Sequence, residues 1–143
     1  SILTALSVAL GYVVKIPTAT GILTFLDAGI FFTAFYFGRR EGAIVGGLGG
    51  FLIDLISGYP HWMIFSLIFH GSQGYFAGFK GKWQWLGLVL ASLVMVAGYA
   101  FATAWMKGWG QALADVPHNL VQNFVGMLVG FLLCQSISKI RKQ

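Results

Sequence analysis

Residues Trp85 to Met106 read WLGLVLASLVMVAGYAFATAWM. No charged side chain interrupts the run, and tryptophans stand at or beside both ends. At about 1.5 Å per residue, roughly 20 apolar residues in a helix cross a hydrocarbon layer about 30 Å thick. This run therefore reads as a transmembrane helix. The rest of the chain has the same character. Of its 143 residues 57% are hydrophobic and only 9% charged, with a mean hydropathy of +0.79. A soluble domain carries roughly 25% charged residues to hydrate its surface, so a soluble globular fold and disorder are both excluded. The apolar runs are continuous rather than alternating, which excludes a β-barrel.

Outward from that run, six helical stretches are expected: Ile2–Val14, Phe25–Gly38, Gly42–Ser57, His61–Phe79, Trp85–Met106 and Val116–Ile140. The last three are long enough to span; the others are short, leaving four long spans plus re-entrant segments as an alternative. The first run has no basic flank or cleavage site and reads as a span rather than a signal peptide. The chain starts at Ser1, and residues preceding it are expected. The expected fold class is an all-α membrane protein, a single domain over residues 1–143, with six spans and both termini cytoplasmic. Orientation follows the cations, which concentrate in cytoplasmic loops. Arg39, Arg40, Lys80, Lys82, Lys139, Arg141 and Lys142 fall on one side, and only Lys15 and Lys107 on the other. Trp62, Trp83, Trp85, Trp105 and Trp109 lie near span ends, as an aromatic belt does.

A net charge of +5 does not make a nucleic-acid binder, because the cations sit in short gaps between apolar runs and not on one face. One cysteine, Cys134, permits no internal disulfide or cysteine-rich zinc site. There is no G-x-x-x-x-G-K-[ST] loop, so ATP hydrolysis by that route would need another polypeptide. No nucleophile-and-base pairing or metal-ligand spacing stands out, so no catalytic residue and no metal site is expected.

Small residues form helical rows: Ala5 and Ala9; Gly42, Gly46 and Gly50; Gly71, Gly74 and Gly78; Gly126 and Gly130. Such rows let helix backbones approach in lipid, where no hydrophobic drive separates protein from solvent. Most would pack within the chain, while Ala5 and Ala9 are the best candidates to face a partner.

Polar groups gather elsewhere. Asp27 opens the second run and Asp54 closes the third. Trp62, Ser66, His70 and Gln73 form a stripe on the fourth, with His70 roughly 13 Å below His61 by the helical rise. Tyr99 and Thr103 are four apart on the fifth run; His118, Asn119, Gln122 and Asn123 crowd the start of the sixth. Ionisable groups in a bilayer are costly and face a bundle interior or cavity. All of these lie in the outer half, so a pocket open to the outside is expected, without a polar path to the cytoplasm. Candidate binding residues are Asp27, Asp54, Tyr59, Trp62, His70, Gln73, His118, Asn119 and Gln122. Each has a plain structural alternative: helix caps for Asp27, His118 and Asn119 (the last two following Pro117), and interhelical hydrogen bonds for His70 and Asn123. Lys107 and Asp115 are expected in a solvated outer loop.

From Ile16 to Gly78 the order of motifs is Pro17-Thr18, Leu26-Asp27-Ala28, a glycine-rich run ending in Asp54-Leu55, Gly58-Tyr59, and Trp62-x-x-Phe65-x-x-Ile68 closing on His70-Gly71. This resembles the substrate-binding S components of energy-coupling-factor (ECF) vitamin transporters, in the riboflavin-type branch and closest to hydroxymethylpyrimidine or pyridoxine carriers. His70 stands where that branch commonly has Lys. The resemblance implies a six-helix bundle in a bacterial cytoplasmic membrane. It implies one vitamin bound near the outer face under a gating loop (Lys15, Pro17, Thr18 and Thr20), and docking through Ala5 and Ala9 on a transmembrane coupling subunit. Two ATPase subunits would use the ATP, and this chain would hold no cofactor. Hydroxymethylpyrimidine or pyridoxine suits the polar set best, with pantothenate or riboflavin next. The alternative function is a small stand-alone channel or ion-coupled antiporter.

Overall fold

A computed structural model describes residues 2–17 and 22–142; for residues 17, 22, 23, 141 and 142 it describes the backbone alone. Among the described residues there are six α-helices: α1 (Ile2–Val13), α2 (Leu26–Phe37), α3 (Arg39–Ile56), α4 (Met63–Ala77), α5 (Gln84–Lys107) and α6 (Trp109–Lys142). Single 3-10 turns, Pro60–Trp62 and Gly81–Trp83, lead into α4 and α5. Where a loop was expected after α1, a short antiparallel pair stands: β1 (Lys15–Pro17) and β2 (Ile22–Thr24), with Lys15 opposite Thr24 and Ile16 opposite Leu23. Ile16, Ile22 and Thr24 are β-branched, which favours this extended pairing.

The central helix is α2. It is apolar all round, as a helix surrounded by others must be, and Leu26, Ala28, Ile30, Phe31 and Ala34 have no exposed surface. The glycine rows explain how its neighbours come so close. On α6, a Cβ placed on Gly130 would lie 2.7 Å from that of Phe31, and one on Gly126 would overlap Asp27. On α1, a Cβ on Gly11 would lie 2.7 Å from Thr24 Oγ1. The tightest seam joins α3 to α4. Side chains on Gly42, Gly46 and Gly50 would run into the carbonyls of Gly74, His70 and Ser66 in turn. The two backbones therefore touch along three successive turns, with nothing between them.

Several expectations need correction. The fourth run is helical from Met63 to Ala77, shorter than expected, because Pro60 sits in a 3-10 turn and Gly78 presses on the backbone of Arg39. Among the described residues, two helical stretches, Gly81–Lys107 and Trp109–Ile140, are long and apolar enough to cross a membrane by length and composition alone. The sixth helix starts at Trp109, not near Val116. Gly108, at φ +94°, makes the whole turn from α5 by itself, a conformation other residues rarely adopt. Ala112, Leu113 and Ala114 favour helix, and the Ala112 amide bonds the Gly108 carbonyl at 3.2 Å. Pro117 therefore lies inside α6, as prolines in membrane helices are tolerated. His118 and Asn119 are consequently not helix caps. Asp115, expected in a solvated loop, is buried and accepts a bond from Gln111 at 3.3 Å.

Candidate functional site

Asp27 lies in the first turn of α2 with no exposed surface. Its Oδ2 accepts from Gln73 Nε2 of α4 at 2.9 Å, and its Oδ1 from Gln122 Nε2 of α6 at 3.0 Å. His70 Nδ1, on α4, stands 3.7 Å from Oδ1 and 2.9 Å from Gln73 Oε1. Gln73 donates again, to Asn123 Oδ1 at 2.8 Å; Asn123 Nδ2 donates to Ser92 Oγ of α5 at 2.8 Å, and Ser92 to the Leu88 carbonyl at 2.9 Å. One polar layer thus ties four helices together. Burial without partners would cost each group about 1–3 kcal/mol, and among the described residues no fully buried side-chain nitrogen or oxygen lacks one.

The layer reaches the strand pair. Thr24 N–H donates to Gln122 Oε1 at 2.9 Å, and Thr24 Oγ1 donates to the Gly11 carbonyl at 2.7 Å. At the other end of the pair, Lys15 Nζ donates to Ser57 Oγ at 3.2 Å and lies 3.6 Å from the centre of the Tyr12 ring. The expected gating segment is therefore fastened to α1, to the end of α3 and, through Gln122, to Asp27. Thr18 and Thr20 lie outside the described residues, as does the side chain of Pro17. A groove of about 130 Å³ runs beside β2 and α6, with Thr24 and Gln122 in its lining.

A second polar group stands beside the first. Ser66 Oγ donates to Asp54 Oδ2 and lies 2.5 Å from the Tyr99 hydroxyl. Aromatic rings enclose it: Trp62 and Tyr99 at 5.5 Å between centres, Phe69 and Tyr99 at 5.0 Å, His70 and Tyr99 at 5.7 Å. Carboxylates, an imidazole, carboxamides and flat rings in one buried region can bind and orient a small polar heterocycle.

Of the candidate residues, Asp27, His70, Gln73 and Gln122 share the first cluster, while Asp54 and Trp62 border the second. Tyr59 is half-buried beyond the end of α3, its amide bonded to the Asp54 carbonyl at 2.8 Å and its ring 6.1 Å from that of His61. His118 is exposed and Asn119 half-buried on α6; neither joins these clusters. Ala5 and Ala9 are exposed, opposite the buried Thr4, Ser7, Val8 and Gly11 of the same helix. Thr24 and Ser92 were not among the candidates. Ser92 precedes Tyr99 by two helical turns, a spacing that places both on one face; Thr24 carries no such signal.

Residues 1–139 match the family described as "ECF-type riboflavin transporter, S component". The chain belongs to this family. The S component is 45% identical over 143 residues, 98% of its length and 83% of the relative's, to the "Thiamine precursor transporter HmpT" of Lactococcus lactis subsp. cremoris (strain MG1363). It is also 37% identical over 123 residues, covering 82% of each chain, to an uncharacterized protein of Pyrococcus woesei. Its fold matches a solved structure described as "Structure and mechanism of the S component of a bacterial ECF transporter". The TM-score is 0.76 over 99% of this chain and 94% of the other, at 22% identity. The six-helix S-component architecture is the fold. An S component is a membrane subunit that captures a vitamin or precursor for import; it is neither an enzyme nor a stand-alone channel or antiporter.

Proposed function

We propose that this S component captures hydroxymethylpyrimidine or the related ring pyridoxine at the outer face of a bacterial cytoplasmic membrane. Pantothenate and riboflavin rank behind them. The observation that carries this reading is the 45% identity, over nearly the whole chain, to a relative whose name specifies a thiamine precursor. The buried clusters around Asp27 and Asp54 support it, since they supply polar contacts and aromatic walls for one small heterocycle. Pantothenate would want a cation for its carboxylate, and Lys15 is already held by Ser57 and Tyr12.

Both termini are cytoplasmic in this reading, from the cation distribution. Delivery inward requires a transmembrane coupling subunit, docked at Ala5 and Ala9, and two ATPase subunits. Mass spectrometry of small molecules that co-purify with the chain, followed by calorimetric titration, tests the ligand. The expected result is saturable binding of hydroxymethylpyrimidine or pyridoxine. Binding of riboflavin or pantothenate alone, or of no vitamin, overturns the assignment. In liposomes the isolated chain is expected to bind this ligand without accumulating it; uptake driven by a proton or sodium gradient alone would contradict the need for partners.

A further inference from the structure

Hydrogen-bond direction within the two clusters decides what kind of ligand edge they can read. The amide of Gln73 has two protons. One goes to the Asp27 carboxylate at 2.9 Å and one to Asn123 Oδ1 at 2.8 Å. Asn123 has no freedom to turn round, because its own Nδ2 donates to Ser92 Oγ at 2.8 Å, whose proton is spent on the Leu88 carbonyl at 2.9 Å. The Gln73 carbonyl must therefore face His70. A carbonyl oxygen only accepts, so the proton of the neutral His70 ring sits on Nδ1, which donates to Gln73 Oε1 at 2.9 Å. In the singly protonated ring Nε2 therefore keeps its lone pair.

That nitrogen has no hydrogen-bond partner among the described residues. His70 is only 3% exposed, its ring makes no hydrogen bond through Nε2, and among the described residues no fully buried side-chain nitrogen or oxygen lacks a partner. The same reasoning applies to Asp54. The Ser66 proton goes to Asp54 Oδ2, so the Tyr99 hydroxyl donates to Ser66 Oγ at 2.5 Å. The Ser66 and Tyr99 protons are both spent, and among the described residues Oδ1 of the Asp54 carboxylate accepts no hydrogen bond. The two acceptors are neighbours. A Cβ on Gly50, one turn before Asp54 on α3, would lie 2.9 Å from His70 Cδ2, the ring atom bonded to Nε2.

We infer that His70 Nε2 and Asp54 Oδ1 form an acceptor pair that selects a ring carrying two N–H or O–H donors in its unphosphorylated form, and that Gln73 is the positioning residue that keeps His70 Nε2 an acceptor. This rests on the vitamin-capture reading above and specifies its chemistry: an amino- or hydroxymethyl-substituted azine fits, and a phosphate monoester does not. A phosphate would bring its charge against the Asp54 carboxylate. An edge whose N–H groups are methylated would leave at least one acceptor unpaired, and sites built to bond a donor strongly reject analogues that lack it.

The test uses the detergent-purified chain and three probes: 4-amino-5-hydroxymethyl-2-methylpyrimidine, its phosphate monoester, and its 4-dimethylamino analogue. Calorimetry is expected to find the two analogues bound at least about 10-fold more weakly than the first. Long-range 15N–1H spectra of the histidine-labelled parent are expected to show His70 protonated at Nδ1 and bare at Nε2. In Gln73→Met both tautomers should appear and affinity for the first probe should fall. Equal binding of all three probes overturns the inference while vitamin capture stands. So does a parent spectrum with the proton on Nε2, a result that does not depend on whether the variant folds. Failure of the parent to bind the first probe or any other vitamin overturns both readings.

Discussion

Gly46→Ala and Gly71→Ala add the same methyl group to the same seam between α3 and α4, and they should have opposite effects. A Cβ on Gly46 would overlap the carbonyl group of His70, a backbone neighbour that cannot rotate aside. A Cβ on Gly71 would meet Gly47 Cα at 3.5 Å, an ordinary contact. Alanine gains up to about 1 kcal/mol over glycine in a helix interior, whereas overpacking a tight contact costs about 1–3 kcal/mol. At Gly46 the clash prevails, for a net loss of about 1–2 kcal/mol, and α4 must move outward at the residue that carries the His70 ring. At Gly71 the gain prevails, and stability is unchanged or slightly raised. Thermal unfolding of detergent-purified variants, followed by tryptophan fluorescence and paired with calorimetric titration, measures both. Gly46→Ala is expected to unfold at lower temperature and to bind its ligand more weakly; Gly71→Ala should match the parent in binding. A Gly46→Ala variant as stable as the parent, or equal damage from the two substitutions, would refute direct backbone contact as the basis of the seam.

Ala5→Leu or Ala9→Leu is expected to abolish reconstituted transport and leave ligand binding intact, since both residues are exposed on α1; loss of binding in the purified variants would show that the row serves the fold. Asp54→Ala should weaken binding by about 5- to 150-fold, matching about 1–3 kcal/mol for a lost buried partner, while the exposed His118→Ala should leave a titration curve unchanged. Lys15→Met removes the bond to Ser57 Oγ and is expected to speed ligand release in stopped-flow experiments; an unaltered off-rate would detach the strand pair from any gating role.

The helices were legible because lipid leaves a plain mark on composition: unbroken apolar runs, cations between them, and glycines at four-residue spacing where backbones meet. The boundary of α6 was not. Pro117 is a strong stop signal in water, and nothing local announced that the single residue Gly108 would complete the turn. The polar cluster was legible at Asp27, His70, Gln73 and Gln122 because ionisable groups and carboxamides are rare enough in such a chain to be counted one by one. His118 looked equivalent to Gln122 by depth. Four residues apart, they share a face of α6 but differ in depth by about 6 Å, and His118, one turn nearer the start of the helix, is exposed. Thr24 and Ser92 are small hydroxyl residues common in any such chain, and only their partners give them meaning.

The seam between α3 and α4 also has a mechanical consequence. Two helices in carbonyl-to-glycine contact at Gly42, Gly46 and Gly50 have few side chains to repack there, so sliding or rolling of one on the other meets backbone collision. They behave as one stiff plank. Asp54, Ser66 and His70 all ride on that plank, and their mutual geometry is expected to hold when a guest binds. Tyr99, Gln122 and Thr24 approach from α5, α6 and the strand pair, which meet it through side chains able to change rotamer. Whatever gives way when a molecule enters or leaves is on that second side, so the fixed jaw of the clamp is built from glycine and the moving jaw from aromatic rings and amides.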